Sequence, residues 1–470
     1  MAGASPAGVS TIGRPLPGRV GAAVAVEGRG PNMPRWRWLM AQLTRRLWVR
    51  ATLIGLLGIL AAILAAVVDS HLPWTIPGTI SADALDSILT VIASSMLTVT
   101  TFSLNVMVSA YGSATSNVTP RATKLLIEDR LTQTVLSTFL GSFLFGIVGL
   151  VVSKTGAYGE QGRSILFVVT IAVIGLIVIA LLRWIDHLTR LGRVGQTTDR
   201  VEAAAREAIR ARLREPYLGG TPLRDRQAIP ADALFVTTDR IGYVQHIDVP
   251  ALSALCEKRD AEVFVTAVPG TFVYPHTPLA RLRVRGGAAD RERADALRGA
   301  VEAVFSIGEE RSFDQDPRFG VAVMSEIGSR ALSPATNDPG TAIDVIGRAT
   351  RLLCLWARGG DAKGEGAESE GPRYPRVHVP PLDTADLVED AFMLMARDGA
   401  GLIEVQLPIQ KGLSALGRMG DEALASAARH QSRLALERAE AALPLDADRR
   451  RLRALVRALE ASNTSPAPAG

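Results

Sequence analysis

The sequence predicts an α-helical membrane domain of four transmembrane helices, followed by a mixed α/β, mostly helical cytoplasmic region with a small β-hairpin or sandwich element. Three observations carry that expectation. Hydrophobic residues make up 47% and charged residues 21% of 470, the mean hydropathy is +0.19, and the apolar excess lies almost entirely before residue 183. Four stretches there, 51–68, 87–111, 131–153 and 164–182, are long and uncharged enough to cross a bilayer core of about 30 Å, which takes roughly 20 helical residues. Beyond them, strand-like alternation gives way to helical periodicity. The low charge fraction excludes a disordered chain, and two cysteines exclude a disulfide framework.

The first segment, 1–34, is rich in Gly, Pro, Ala and Arg and reads as a disordered cytoplasmic arm before a membrane domain at 35–190. Between Arg14 and Arg50 the chain carries eight Arg against the single acid Glu27, which keeps the N-terminus inside under the positive-inside rule. The loop after the first span is acidic (Asp69, Asp83, Asp86), as expected outside. Arg121, Lys124 and Arg130 follow the second span, diluted by Glu128 and Asp129, and Arg183, Arg190 and Arg193 end the fourth. Four spans therefore return the C-terminus to the cytoplasm, at a bacterial inner membrane. Thr44-Arg45-Arg46-Leu47-Trp48 resembles a twin-arginine export signal, but the apolar run is too long for one and three more spans follow.

The second span carries a polar stripe. Ser87, Thr90, Ser94, Thr98, Thr101, Asn105 and Ser109 are spaced by 3, 4, 4, 3, 4 and 4, so all seven share one helix face. Ile88, Leu89, Val91, Ile92, Leu97, Leu104, Val106 and Met107 occupy the other faces, with Ile92 and Leu104 expected to meet lipid. Two uses fit such a stripe. It lines a pore, where hydroxyl and amide groups replace an ion's hydration shell, or it packs helices, because Ser and Thr allow close approach and hydrogen-bond across the contact. Asn105 is read as mid-membrane. No span holds an ionisable residue away from its ends, which speaks against a proton relay or voltage sensor.

The third span has a small-residue seam, Ser137, Gly141, Phe145 and Gly149 with Ser142 and Gly146 beside it. Such small-xxx-small spacing predicts close helix packing within or between subunits.

Residues 191–290 read as a helix (196–213) plus a small α/β domain. Residues 241–249 alternate as a strand and 251–259 suit a short helix. A second strand at 262–268, a turn at Pro269-Gly270 and Phe272-Val273 suggest a hairpin, and 278–284 a third strand. The run from Pro269 to Leu279 resembles the strand–turn–strand of small lipoyl-type sandwiches, but no lysine sits at its turn and no cofactor attachment is implied. Residues 291–461 read as a mainly helical domain with helices near 291–305, 317–332, 338–357, 384–397, 412–441 and 446–461. A Gly- and Glu-rich flexible loop at 359–371 interrupts it, and 462–470 form a disordered tail.

The densest motif runs from Asp316-Pro317 to Ala342. It reads as helix, break, helix: Ser333-Pro334 ends the first helix, and Asp338 caps the second with Pro339 in its first turn. Caps and prolines account for most of it. Arg330, Asn337, Asp338 and Asp344 also place donors and carboxylates around a helix N-terminus, where a polar ligand could bind. Thr119-Pro120-Arg121 after the polar span, Gly-Tyr-Val-Gln at 242–245 and Ala-Leu-Ser-Pro-x-x-Asn-Asp-Pro at 331–339 together resemble a widespread bacterial family of predicted membrane proteins of unknown function. The resemblance spans roughly residues 40–440. Where that family often has Gly-Ile, this chain has Ala335-Thr336. It implies the topology and supplies no reaction or ligand.

Standard chemistry is missing from the sequence: no phosphate-binding, dinucleotide, zinc-protease or nucleophile-elbow motif occurs. The six histidines are scattered without ligand spacing, and Cys256 and Cys354 read as buried thiols. Glu309 to Asp316 reads as an exposed acidic loop. The pI near 9.4 comes largely from the Arg-rich arm and membrane flanks and fits anionic lipid rather than nucleic acid. The expectation is therefore no enzyme, metal or cofactor. It is an oligomeric channel or permeation protein in contact with lipid and small ions or solutes, with a non-transporting sensor or scaffold as the alternative.

Overall fold

The computed structural model describes residues 34–44, 47–68, 82–127, 129–155, 160–188, 194–284, 290–361 and 371–464. Nearly all of the expected arm, most of the loop at 359–371 and the end of the tail lie outside these residues. The first part is helical: α1 (Arg35–Thr44), α2 (Leu47–Val68), α3 (Ala82–Asn117), α4 (Pro120–Ile127), α5 (Arg130–Lys154) and α6 (Glu160–Leu188).

Among the described residues three helices are long and apolar enough to cross a membrane, at Asp83–Gly112, Leu131–Lys154 and Gly162–Leu188. The first expected span falls in α2, where the apolar helix described, Ala51–Ala61, is shorter than that standard. Three spans, not four, therefore meet it. The helix α3 has 36 residues and is about 54 Å long. It outruns the expected end at 111 because nothing stops it before Thr119-Pro120, where the residue preceding proline leaves the helical region.

The glycines of α5 explain how the helices meet. A methyl on Gly141 would lie 2.7 Å from Ile54 Cγ2 of α2, and one on Gly58 would lie 2.7 Å from the Gly141 carbonyl oxygen. One on Gly146 would lie 3.1 Å from the Leu89 carbonyl of α3. The small-residue seam thus packs within one chain, against α2 on one side and α3 on the other. Antiparallel register of α3 and α5 is fixed where Asp86 accepts from Ser153 (2.6 Å) and pairs with Lys154 (2.7 Å). Leu85, Leu89, Phe139, Phe145, Leu166, Ile177 and Trp184 fill the space between α3, α5 and α6.

The C-terminal half begins with α7 (Val194–Arg214) and a tight turn at 216–219. An α/β unit follows: β1 (Gly220–Pro222), β2 (Leu234–Thr238), β3 (Gly242–Ile247), α8 (Val249–Arg259), β4 (Ala261–Val265), β5 (Phe272–Val273), β6 (Thr277–Val284), α9 (Asp290–Ala303) and β7 (Phe305–Gly308). The rest comprises α10 (Pro317–Ala331), α11 (Pro339–Asp361), β8 (Tyr374–Val379), α12 (Thr384–Asp398), α13 (Ile403–Gly417), α14 (Glu422–Ala442) and α15 (Asp446–Thr464).

One sheet has the order β1-β8-β4-β6-β2 and the other β5-β3-β7. This half departs from the sequence expectation in four ways. The strands β4 and β5 form no hairpin: Gly270, at φ +94°, turns the chain away, and β5 pairs with β3 while β4 pairs with β6 and β8. β7 and β8, from the stretch expected to be mainly helical, complete the two sheets; β8 escapes the eye because Pro375 interrupts its alternation and its partners β1 and β4 are distant in sequence. The expected helix 412–441 is two helices, broken by Gly420 at φ +83° and restarted by the Asp421 cap. Ser462 to Thr464, expected in the tail, end α15.

Two cores result. Val236, Val244, Leu252, Val263, Leu282, Phe305 and Val377 centre the α/β unit. Ile209, Met324, Ile346, Leu353, Phe392, Met395, Ile409 and Leu424 centre a bundle of α7 with α10 to α14, which Val118 of the α3–α4 connection and Ala122 of α4 also enter. Of the two cysteines, Cys256 is buried and Cys354 only half-buried.

Candidate functional site

At 100° per residue, the buried residues Leu85, Leu89, Ile92, Met96 and Ser103 define the inner face of α3, and the polar stripe lies about 180° from it. Ser87, Thr90, Ser94, Thr98, Thr101, Asn105 and Ser109 are all exposed, so no helix among the described residues covers any of them. Ile92, expected to meet lipid, is instead packed against α5 and α6. Asn105 lies about 11 Å from the middle of the apolar stretch Asp83–Gly112, nearer the C-terminal half than the mid-membrane position expected.

The hydroxyl protons of the stripe turn inward along the helix. Thr90 Oγ1 donates to the Asp86 carbonyl (2.7 Å), Ser94 to Thr90 (2.9 Å), Thr98 to Ser94 (3.0 Å) and Thr101 to Leu97 (3.0 Å). Their oxygens keep their acceptor capacity. Asn105 has no hydrogen-bond partner among the described residues, and its carboxamide needs several. Hydrocarbon satisfies none of these, so an exposed carboxamide on this helix calls for water or another chain.

The far end of the stripe helix is tied to the C-terminal half. Arg121 of α4 pairs with Glu326 of α10 (2.8 Å), and Lys124 with Glu310 (2.6 Å). Asp129 is a junction in its own right: it caps α5 by accepting from Thr132 N (3.1 Å), and it meets His187 of α6 (2.9 Å) and Arg200 of α7 (3.1 Å). Burial pushes its carboxyl up, but the His187 bond and the Arg200 charge outweigh burial and hold it far below the usual carboxylate range. The remaining helix, α1, also reaches the C-terminal half. Trp38 is buried, stacks on His246 of β3 with centroids 5.1 Å apart, and donates to Asp314 (2.9 Å).

The second candidate set, the α10–α11 break, is a closed turn. Asn337 stands at φ +47°, its N–H donates to the Ser333 carbonyl (2.8 Å), and the Asp338 N–H donates to Ala331 (2.8 Å). Ser333 Oγ donates to Thr336 Oγ1 (3.2 Å), and Pro334 is exposed. Asp338 fills the start of α11 with its own carboxylate, accepting from Thr341 N (3.0 Å) and Thr341 Oγ1 (2.6 Å), which holds it below the usual range. Pro339 occupies the first position of α11. Asp344 lies further along and pairs with Arg348 (2.7 Å), which also reaches Asp199 and Glu202 of α7. Arg330 is exposed at the end of α10. The structure therefore brings Ser333, Thr336, Asn337 and Asp338 together and turns Asp344 to a different task.

Sequence reasoning missed the neighbouring Asp316. Expected in an exposed acidic loop, it is 2% exposed, caps α10 through Phe319 N (3.2 Å) and pairs with Arg311 (2.7 Å). Burial raises its carboxyl despite Arg311. Gly270 packs directly on it, so the β-turn and the bundle meet there. The readable signal was Asp316-Pro317, the same cap-and-proline step as Asp338-Pro339. Among the described residues no three His, Cys, Asp or Glu side chains are grouped to hold a metal ion.

A sequence-family profile described as "Predicted membrane protein (DUF2254)" matches residues 44–415. Uncharacterized proteins of Mycobacterium bovis and Mycobacterium tuberculosis are each 27% identical over 265 residues, covering 55% of this chain and 50% of theirs. The match thus spans about half the length of those curated relatives. No solved structure matches the chain.

Proposed function

Because the chain belongs to the DUF2254 family of predicted membrane proteins, we propose that it is an oligomeric channel or permeation protein of the bacterial inner membrane, with α3 of each copy lining the path. The observation that carries this reading is the seven-residue stripe standing exposed on the face of α3 opposite its buried one. The space between α3, α5 and α6 is filled with Leu, Ile, Phe and Trp, which leaves no path between these helices among the described residues. A path must then lie between copies arranged about a symmetry axis. Its lining would present hydroxyl oxygens whose protons point away, a surface that suits a small cation or water better than an anion.

In this reading α2 is the fourth crossing. The helices α1, α4 and α7 all meet the same C-terminal half, so α2 with α3 and α5 with α6 each go out and return. That half would be cytoplasmic, as the eight Arg before residue 51 require. The ties at Arg121, Lys124 and Asp129 would let it open or close the path by moving α3.

The test is ion flux into liposomes holding the purified protein with Cys256 and Cys354 replaced and single cysteines at 94, 98, 101 or 105. Block by a water-soluble thiol reagent at these positions, but not at exposed Ile171 or Ile179 of α6, is the expected result. Absent flux, with no labelling along the stripe but loss of assembly in Asn105→Leu, would make the stripe a contact between copies of a scaffold.

A further inference from the structure

A cavity of about 150 Å³ opens where α7 ends, lined by Arg212, Pro216, Tyr217, Trp356, Leu382 and Asp421. Its walls come from three regions: the end of α7 with the tight turn after it, α11, and the connections into α12 and α14. The aromatic walls are fixed. Trp356 Nε1 donates to Thr384 Oγ1 (3.3 Å), and the turn holding Tyr217 is anchored by Leu218, buried in the α/β core.

The cation of this cavity, Arg212, makes no ion pair among the described residues. Arg212 is 6% exposed, and its one hydrogen bond within the described residues runs from Nη2 to the Gln315 carbonyl (3.3 Å). No carboxylate lies within ion-pair distance of it there. Asp316, the acid whose field reaches Arg212, gives its carboxylate to Arg311 and to the start of α10. The Asp421 carboxylate caps α14 through Leu424 N (3.0 Å). A guanidinium has five N–H donors, and a buried cation with no directly paired carboxylate is costly. Burial accordingly lowers Arg212 to about 10, which still leaves it charged at neutral pH.

We infer that this cavity binds a small organic anion, with its carboxylate on Arg212 and its apolar body between Tyr217 and Trp356. A space of this size suits a benzene-sized body and is too small for a nucleotide. The inference is independent of the permeation reading: a chain that carries no flux would bind the anion just the same.

Equilibrium dialysis of radiolabelled benzoate against the full-length protein in detergent tests it, with unlabelled benzamide as the neutral competitor. The expected result is saturable binding of one benzoate per chain, benzamide competing at least tenfold more weakly, and at least tenfold loss of affinity in Arg212→Met. Leu382→Trp, which fills the cavity from its rim and leaves Arg212 untouched, should also abolish binding. Should Arg212→Met fail to fold, Leu382→Trp and the benzamide comparison still decide. No saturable binding, equal competition by benzamide, or unchanged affinity in Leu382→Trp would overturn the assignment.

Discussion

Two aspartates, each followed by proline and each capping a helix, show how much the surroundings decide what one residue is worth. Asp338 is exposed and serves only the first turn of α11, chiefly Thr341, so Asp338→Ala should cost about 1 kcal/mol, as for a lost cap. Asp316 is buried against Arg311, so Asp316→Ala would strand a cation and should cost about 3–5 kcal/mol. Denaturant titration of the two variants checks the order, and equal losses would refute it. Asp129 adds a pH dependence. Its folded carboxyl lies below the unfolded value of about 3.9. The stability it contributes is therefore present above that value and lost as pH falls toward the folded one. Wild type should be more stable than Asp129→Asn at pH 7, with the gap narrowing below about pH 4; a gap that ignores pH would contradict the ion-pair account.

Between elements, the decisive contacts are close approaches rather than large side chains. Gly141 lies against the Ile54 backbone and side chain, so Gly141→Leu must push α2 away from α5. Overpacking of that kind costs about 1–3 kcal/mol or more, and the variant should melt earlier in detergent, while Gly175→Leu on α6, which has open space around it, should not. A similar logic holds for α1. Trp38 packs on His246 and bonds Asp314, so Trp38→Phe keeps most of the packing and loses only the indole bond. It should cost about 1 kcal/mol and raise amide exchange in α1 before any other helix. Uniform exchange across the chain would show that α1 is not docked as an independent element.

At the scale of the whole molecule, the ends of α1 and α4 meet the C-terminal half that α7 begins, and the Asp86–Lys154 pair marks the opposite end of the helical bundle. Cysteines at Thr155 and at exposed Leu445 should therefore react from opposite sides of intact cells with an impermeant reagent, and equal labelling would break the two-hairpin arrangement. Much of this was legible in the residues themselves. Runs of apolar side chains determine which segments leave water, and the 3–4 spacing of Ser87 to Ser109 determines that one face of α3 is polar, because both are properties of a single helix. The cap at Asp338 was readable for the same local reason, and the same Asp-Pro step was there to be read at 316–317, in a stretch expected instead as an exposed loop. Only the tertiary structure decided that the α5 glycines face α2 and α3 rather than a second copy, that β5 joins β3 while β8 lies between β1 and β4, and that Asp316 is buried. The unpaired Arg212 belongs with these. Each depends on segments far apart in the chain meeting in space, and burial, pairing and charge balance are properties of that meeting, not of any one stretch of sequence.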